Sequence, residues 1–270
     1  MDDELGRSVA SVRPPASAPV VRPPLWCFAG GGAPALSMLP LARALPADQP
    51  VHAWQAPGYE GRAWPDWSVA GAATRALRTI RRTTPCGPFP LVGHSFGGLL
   101  ALEVAARLTA AGQDVPFVML LDTVVPPTLP AAPGAPAPVG DDRPIPEPMD
   151  GPAGASAPDL RSRLAMHLMV AGAGLVEYSP GRRDAVFWER SLRMTNRHRP
   201  RPWSGRVILV MAGDNPDDPR RWETVLTGPF EVHRVAGGHS SIMRPPFNAP
   251  IAQLLLTELD AVAPGAAVTA

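Results

Sequence analysis

The chain has no lysine: all 25 of its basic residues are arginine, set against 24 acidic residues. A net charge of +1 argues against nucleic acid or an anionic membrane as the main partner. The missing lysine also excludes a phosphate-binding P-loop, which needs one at the phosphates. Alanine, glycine and proline are abundant, so the arginine bias reads as genome composition and carries no functional weight. There are only two cysteines, Cys27 in an apolar run and Cys86 in a Thr-Pro-Cys-Gly-Pro turn. Neither has CxxC or metal-ligand spacing, so no metal site is expected and a reduced cytoplasm is the expected setting. No apolar run approaches the roughly 18–20 residues that span a bilayer. The first residues, Met1-Asp2-Asp3-Glu4-Leu5, lack the basic-then-apolar order of a signal peptide. A soluble cytoplasmic protein is expected.

What is present is an alternation. Short apolar runs at 25–28, 51–54, 89–92, 117–121, 207–211 and 231–235 read as strands. Between them lie segments of helical spacing. Leu36 to Leu45 is ended by Pro46, and the next helix runs to Arg82 from a cap at Asp66 or Ser68. Its apolar face is Val69, Ala73, Ala76, Leu77 and Ile80. A third helix follows residue 98 and ends at Gly112, and a closing one spans 249–262. Continuous apolar strands alternating with amphipathic helices indicate an α/β fold with a mostly parallel sheet covered by helices on both faces. Residues 1–24 hold five prolines and no periodicity, and read as a flexible leader or linker. The globular domain is expected over 25–263, with 264–270 as a tail.

The alternation breaks at about 126–200. Eleven of the 33 residues from Pro126 to Pro158 are proline, which rules out regular structure there, while helical character returns at 160–170 and 184–195. The insertion is expected to be a lid. Leu160, Leu164, Leu168 and Leu175 are expected to form the face that it buries against substrate or the sheet rim.

The richest stretch is Leu91-Val92-Gly93-His94-Ser95-Phe96-Gly97-Gly98, a strand running through Gly-x-Ser-x-Gly into a helix. A serine at so sharp a turn is held on a strained backbone with its hydroxyl above the sheet, and the flanking glycines give the turn its room. Ser95 is therefore the candidate nucleophile, in preference to a simple helix cap. It needs a base and an acid that orients the base. Of six histidines, His239 is the candidate base, because it follows a strand in the glycine-rich loop Gly237-Gly238-His239. His167 and His233 read as packing residues, and the side chain of His94 is expected to point away from the site. Two acids satisfy the order Ser, Asp, His: Asp122 at the end of 117–121, and Asp214 at the end of 207–211. Gly30-Gly31-Gly32 fits neither GxGxxG nor a P-loop. Its expected use is an oxyanion hole, the backbone N–H of Gly31 joining that of Phe96.

These residues resemble the thioesterases of polyketide and non-ribosomal peptide assembly lines, a branch of the α/β-hydrolase superfamily. The resemblance covers about 25–124 and 203–258. It rests on Trp26-Cys27-Phe28-Ala29-Gly30-Gly31-Gly32, on Pro88 to Gly98 followed by Glu103, and on Gly238-His239-Ser240-Ser241-Ile242-Met243. Ala53-Trp54-Gln55-Ala56-Pro57-Gly58-Tyr59 looks closer to the polyketide chain-release branch. The resemblance implies an α/β-hydrolase fold with a lid. Asp122 is favoured as the acid, since release domains keep it after the strand that follows the elbow helix. Stand-alone editing thioesterases use the position of Asp214. It further implies a polyketide-type acyl thioester on the phosphopantetheine arm of an acyl carrier protein, with no cofactor of the enzyme's own. Release would be by hydrolysis or cyclisation. A monomer is expected, and an editing thioesterase or a general esterase is the alternative.

Overall fold

The computed structural model describes residues 9–13, 22–130 and 160–262. Seven strands form one sheet: β1 (Val9–Arg13), β2 (Leu25–Phe28), β3 (Val51–Trp54), β4 (Leu91–His94), β5 (Val118–Leu121), β6 (Val207–Ala212) and β7 (Phe230–Val235), in the spatial order β1-β3-β2-β4-β5-β6-β7. β2 to β7 are all parallel, and β1 runs antiparallel to β3 along one edge. β1 corrects the reading of residues 1–24 as wholly flexible. Val9-Ala-Ser-Val-Arg13 is a proline-free window with two β-branched residues, and it pairs with the otherwise open edge of β3. Residues 131–158 of the expected proline-rich stretch 126–158, and the tail, lie outside the described residues.

Each strand sends alternate residues to opposite faces. Trp26, Phe28, Leu91, Val118, Leu120, Val207 and Leu209 pack on one side against α2 (Val69–Thr83) and α3 (Phe96–Ala110). Leu25, Cys27, Val92, Met119, Leu121, Ile208 and Val210 pack on the other against α1 (Leu39–Ala44) and α6 (Asn248–Val262). Both faces are buried, hence the continuous apolar runs in the sequence. This is the α/β-hydrolase architecture. Ser68 caps α2, its side chain accepting from the Gly71 N–H, while Asp66 is buried and bound to Arg75. β4 starts two residues later than the apolar run suggests, because Pro88 and Pro90 have no N–H to give to a ladder.

Two helices, α4 (Leu160–Ala171) and α5 (Pro180–Arg197), follow β5 in the chain and precede β6. They do not bury the expected face against the sheet rim. Leu160, Leu164 and Leu168 are 83%, 61% and 67% exposed, and Leu175 is exposed as well. The segment is held instead by Val170, Ala173, Val186 and Phe187, which pack on Tyr59, and by the Tyr178 hydroxyl donating to the Met169 carbonyl. His167 also turns out exposed, not packed, with Nδ1 against the Arg163 carbonyl one turn earlier.

Candidate active site

β4 ends at the elbow, where Ser95 adopts φ 53°, ψ −123°. A Cβ on Gly93 would fall on the Gly97 carbonyl, and one on Gly97 would fall on the Phe28 carbonyl, so the close approach of helix and strands requires glycine at both positions. Asp122 is also left-handed, with φ 47°, at the end of β5. Among the described residues these are the two non-glycine positions with positive φ. Such backbone is costly and persists only where surrounding structure imposes it. Here the parallel ladder imposes it: the Ser95 N–H donates to Leu121 O at 2.8 Å, and the Asp122 N–H to Val210 O at 2.7 Å. Both side chains are thus lifted above the carboxyl edge of the sheet, where open α/β sheets place their ligands.

His239 reaches the same edge from the loop after β7. Its Nε2 lies 3.0 Å from Ser95 Oγ, and its Nδ1 lies 2.6 Å from Asp122 Oδ2. A carboxylate only accepts, so the Nδ1–H donates to Asp122 and Nε2 offers its lone pair to the serine hydroxyl. Oδ1 of Asp122 accepts from the Ala212 N–H at 2.8 Å and from Asn215 Nδ2 at 2.6 Å. Burial works against charge on Asp122, but these bonds from His239, Asn215 and Ala212 outweigh it and hold the carboxyl below its ordinary range. The arrangement keeps a fixed anion behind an imidazole that must become cationic.

Asp214 is exposed, and its carboxylate lies against Gly238, away from His239 Nδ1. The residue of that turn which touches the triad is its neighbour Asn215, fixed in turn by the Asp217 N–H on its Oδ1 at 2.8 Å. Sequence reasoning weighed the acid and missed the amide beside it. His94 also departs from expectation: its ring stacks at 5.0 Å on that of His239, and its Nε2 donates to the His239 carbonyl at 3.0 Å. Burial, with His239 beside it, pushes its pKa down to about 4, so it stays neutral while it holds the His239 loop. His233, read as packing, is half-exposed and sits 3.4 Å from Glu231.

The glycine loop abuts this row. A Cβ on Gly30 would come 3.4 Å from Ser95 Cβ, and one on Gly31 would come 3.7 Å from Phe96 Cβ. Phe96 opens α3, so its N–H is among the amides that a helix start leaves without an internal partner. α5 covers the loop from above: Gly31 faces Ser191, and Gly32 faces Asp184 and Trp188. The Tyr59 hydroxyl ties the two together, 2.5 Å from Asp184 Oδ1 and 3.2 Å from Gly32 O. Among the described residues no cluster of three or more His, Cys, Asp or Glu is set to hold a metal, and no helix is long and apolar enough to cross a membrane.

Fold and site together define a hydrolase with a serine at its elbow, and comparison with known proteins gives the family. The profile of the thioesterase domain matches residues 23–249, and the chain belongs to that family of enzymes. Malpibaldin synthetase of Mortierella alpina is 26% identical over 252 residues, which is 88% of this chain and 4% of that protein. Orsellinic acid synthase of Emericella nidulans is 28% identical over 256 residues, 79% of this chain and 12% of that one. The chain thus spans a small fraction of either relative. Among solved structures, the NocB thioesterase domain from the nocardicin cluster superposes with a TM-score of 0.64 at 22% identity, covering 94% of this chain and 99% of that one. The type II thioesterase BorB from the borrelidin cluster gives 0.65 at 21% identity, covering 94% and 96%. These likenesses concern the fold.

Proposed function

We propose that this chain is a serine thioesterase that releases a polyketide-type acyl chain from an acyl carrier protein through an acyl-enzyme on Ser95. The observation that carries the proposal is the single imidazole bridging Ser95 Oγ and Asp122 Oδ2 at 3.0 and 2.6 Å. Ser95 Oγ attacks the thioester carbonyl while its proton passes to His239 Nε2. The oxyanion that forms accepts from the Gly31 and Phe96 N–H groups, and Asp122 stabilises the imidazolium. Collapse breaks the C–S bond, and His239 returns its proton to the departing phosphopantetheine thiol. Water, or a hydroxyl of the chain itself, then attacks the acyl-enzyme with His239 again as base, giving an acid or a ring. No cofactor takes part in these steps.

Support for the polyketide side comes from Pro57-Gly58 after β3 and from one relative named a non-reducing polyketide synthase; others are named nonribosomal peptide synthetases. We further propose that α4 and α5 act as the lid. Their contacts with Gly31 and Gly32 would make access to the oxyanion loop depend on α5. Two substrate comparisons test the reading. Long acyl chains on a phosphopantetheinylated carrier should turn over far faster than acetyl or propionyl on the same carrier. Preference for the short groups would mark an editing enzyme, and equal rates on carrier-bound thioesters and simple oxoesters would mark a general esterase.

A further inference from the structure

A pocket beside the glycine loop holds polar groups that the release chemistry leaves unused. Gly30, Gly32 and Phe96 form one side of it, and residues of α5 form the other. Arg190 of α5 lines it with only 4% of the residue exposed. Its Nη1 is buried without a hydrogen-bond partner, as is the indole Nε1–H of Trp54 in the same lining. The Tyr59 and Ser191 hydroxyls of the lining are engaged elsewhere. The Tyr59 hydroxyl is held by Asp184, and Ser191 Oγ donates to the Phe187 carbonyl. Asp66, the carboxylate in the lining, is paired through Oδ1 with Arg75 at 3.3 Å; its Oδ2 is buried without a hydrogen-bond partner, and its charge also acts on Arg190. Two guanidinium groups therefore share one carboxylate, with one positive charge in excess.

A guanidinium taken out of water loses hydration that only an accepting partner restores. The guanidinium carbon of Arg190 lies 4.6 Å over the Phe187 ring, a contact that gives Nη1 no acceptor. Burial draws the Arg190 pKa down to about 10, which still leaves it charged at neutral pH. A buried cation and an indole N–H in one pocket lining together describe a receptor for an oxygen acceptor.

We propose that this pocket selects acyl chains carrying a polar oxygen acceptor, ionised or strongly polarised, remote from the thioester, and that Arg190 with Trp54 receives it. The inference rests on the thioesterase reading and narrows its substrate class. Carboxylate and ketone oxygens share the required chemistry, and the test separates them.

Three N-acetylcysteamine thioesters of equal chain length, ending in carboxylate, methyl ketone or methyl, would be compared on wild type, Arg190→Met and Arg190→Lys. A charge-assisted hydrogen bond predicts about 10–100-fold higher kcat/KM for the carboxylate or the ketone over the methyl chain. Arg190→Met should remove that preference while sparing the methyl substrate, and Arg190→Lys should keep part of it. Whichever of carboxylate and ketone gains more identifies the acceptor. Equal rates on all three in wild type, or a preference that survives Arg190→Met, would overturn the proposal with the thioesterase reading intact. Non-hydrolysable amide analogues of the three, titrated by calorimetry, read the pocket without turnover. Arg190-dependent binding of the polar analogues with no turnover of any thioester would uphold the pocket and remove the release chemistry. Circular dichroism and melting of each variant guard against a folding defect, and Lys at 190 keeps the test decisive if Met unfolds the protein.

Discussion

At the carboxyl edge of the sheet, every polar atom in the row from Ser95 through His239 to Asp122 and Asn215 has a partner; in the pocket beside the glycine loop, Arg190 Nη1, Trp54 Nε1 and Asp66 Oδ2 have none. The first region is preorganised. Its strained backbone at Ser95 and Asp122 is imposed by strand pairing, so little needs to move when charge develops. The second region leaves buried polar groups without partners, and α4, which precedes α5, shows its leucines to solvent. The contrast separates a part whose polar groups are partnered within the chain from a part where three of them are not.

The largest effect expected from breaking the first region is that of Ser95→Ala. It should lower kcat by about 10⁴–10⁶ with an unchanged melting curve, as measured on any thioester that the wild type turns over. Asp122→Asn should cost roughly 10³–10⁴, because an amide favours the wrong imidazole tautomer. Asp214→Asn, which alters a carboxylate outside the hydrogen-bonded row, should stay within a few-fold; the reverse ranking would move the acid to Asp214. His94→Leu removes one hydrogen bond to the His239 carbonyl and should lower kcat roughly 2- to 12-fold, with KM little changed.

Asn215→Ala addresses the electrostatics of the same row. Asp122 has its folded pKa below the ordinary carboxylate value. Its contribution to stability is therefore complete above that ordinary value, and is lost as pH falls through the depressed folded one. Removing the Asn215 donor raises the folded pKa, so acid unfolding followed by circular dichroism should begin at a higher pH than in wild type. The smallest effect belongs to α4. Leu164→Asp at a 61% exposed position should change stability by no more than about 0.5 kcal/mol, and a severe loss would mean that this face is covered.

Which features were legible in the sequence follows the same division. Strand and helix periodicity reported the sheet, since both faces are buried and the strands read as uninterrupted apolar runs. The elbow was legible because two glycines are sterically forced there. Spacing left Asp122 and Asp214 undivided, since both close a strand on the same edge; tertiary pairing brings only one to His239. His94 and Asn215 act through a backbone carbonyl and through a second residue's carboxylate, and neither contact leaves a pattern in the chain. The leucines of α4 misled for a related reason. Helical spacing reports which residues share a face, but not what that face meets. β1 was hidden by the prolines that flank it, which obscured a five-residue window that only an available edge makes into a strand.

The central claim is that Ser95, activated by His239 and Asp122, carries the acyl group. Intact-protein mass spectrometry during turnover of a carrier-bound acyl thioester reads it directly. The account predicts a mass increase equal to the acyl group, confined by peptide mapping to Ser95, present in Asp214→Asn and absent from Ser95→Ala. Product release at the wild-type rate by Ser95→Ala, or an adduct on any other residue, would contradict it.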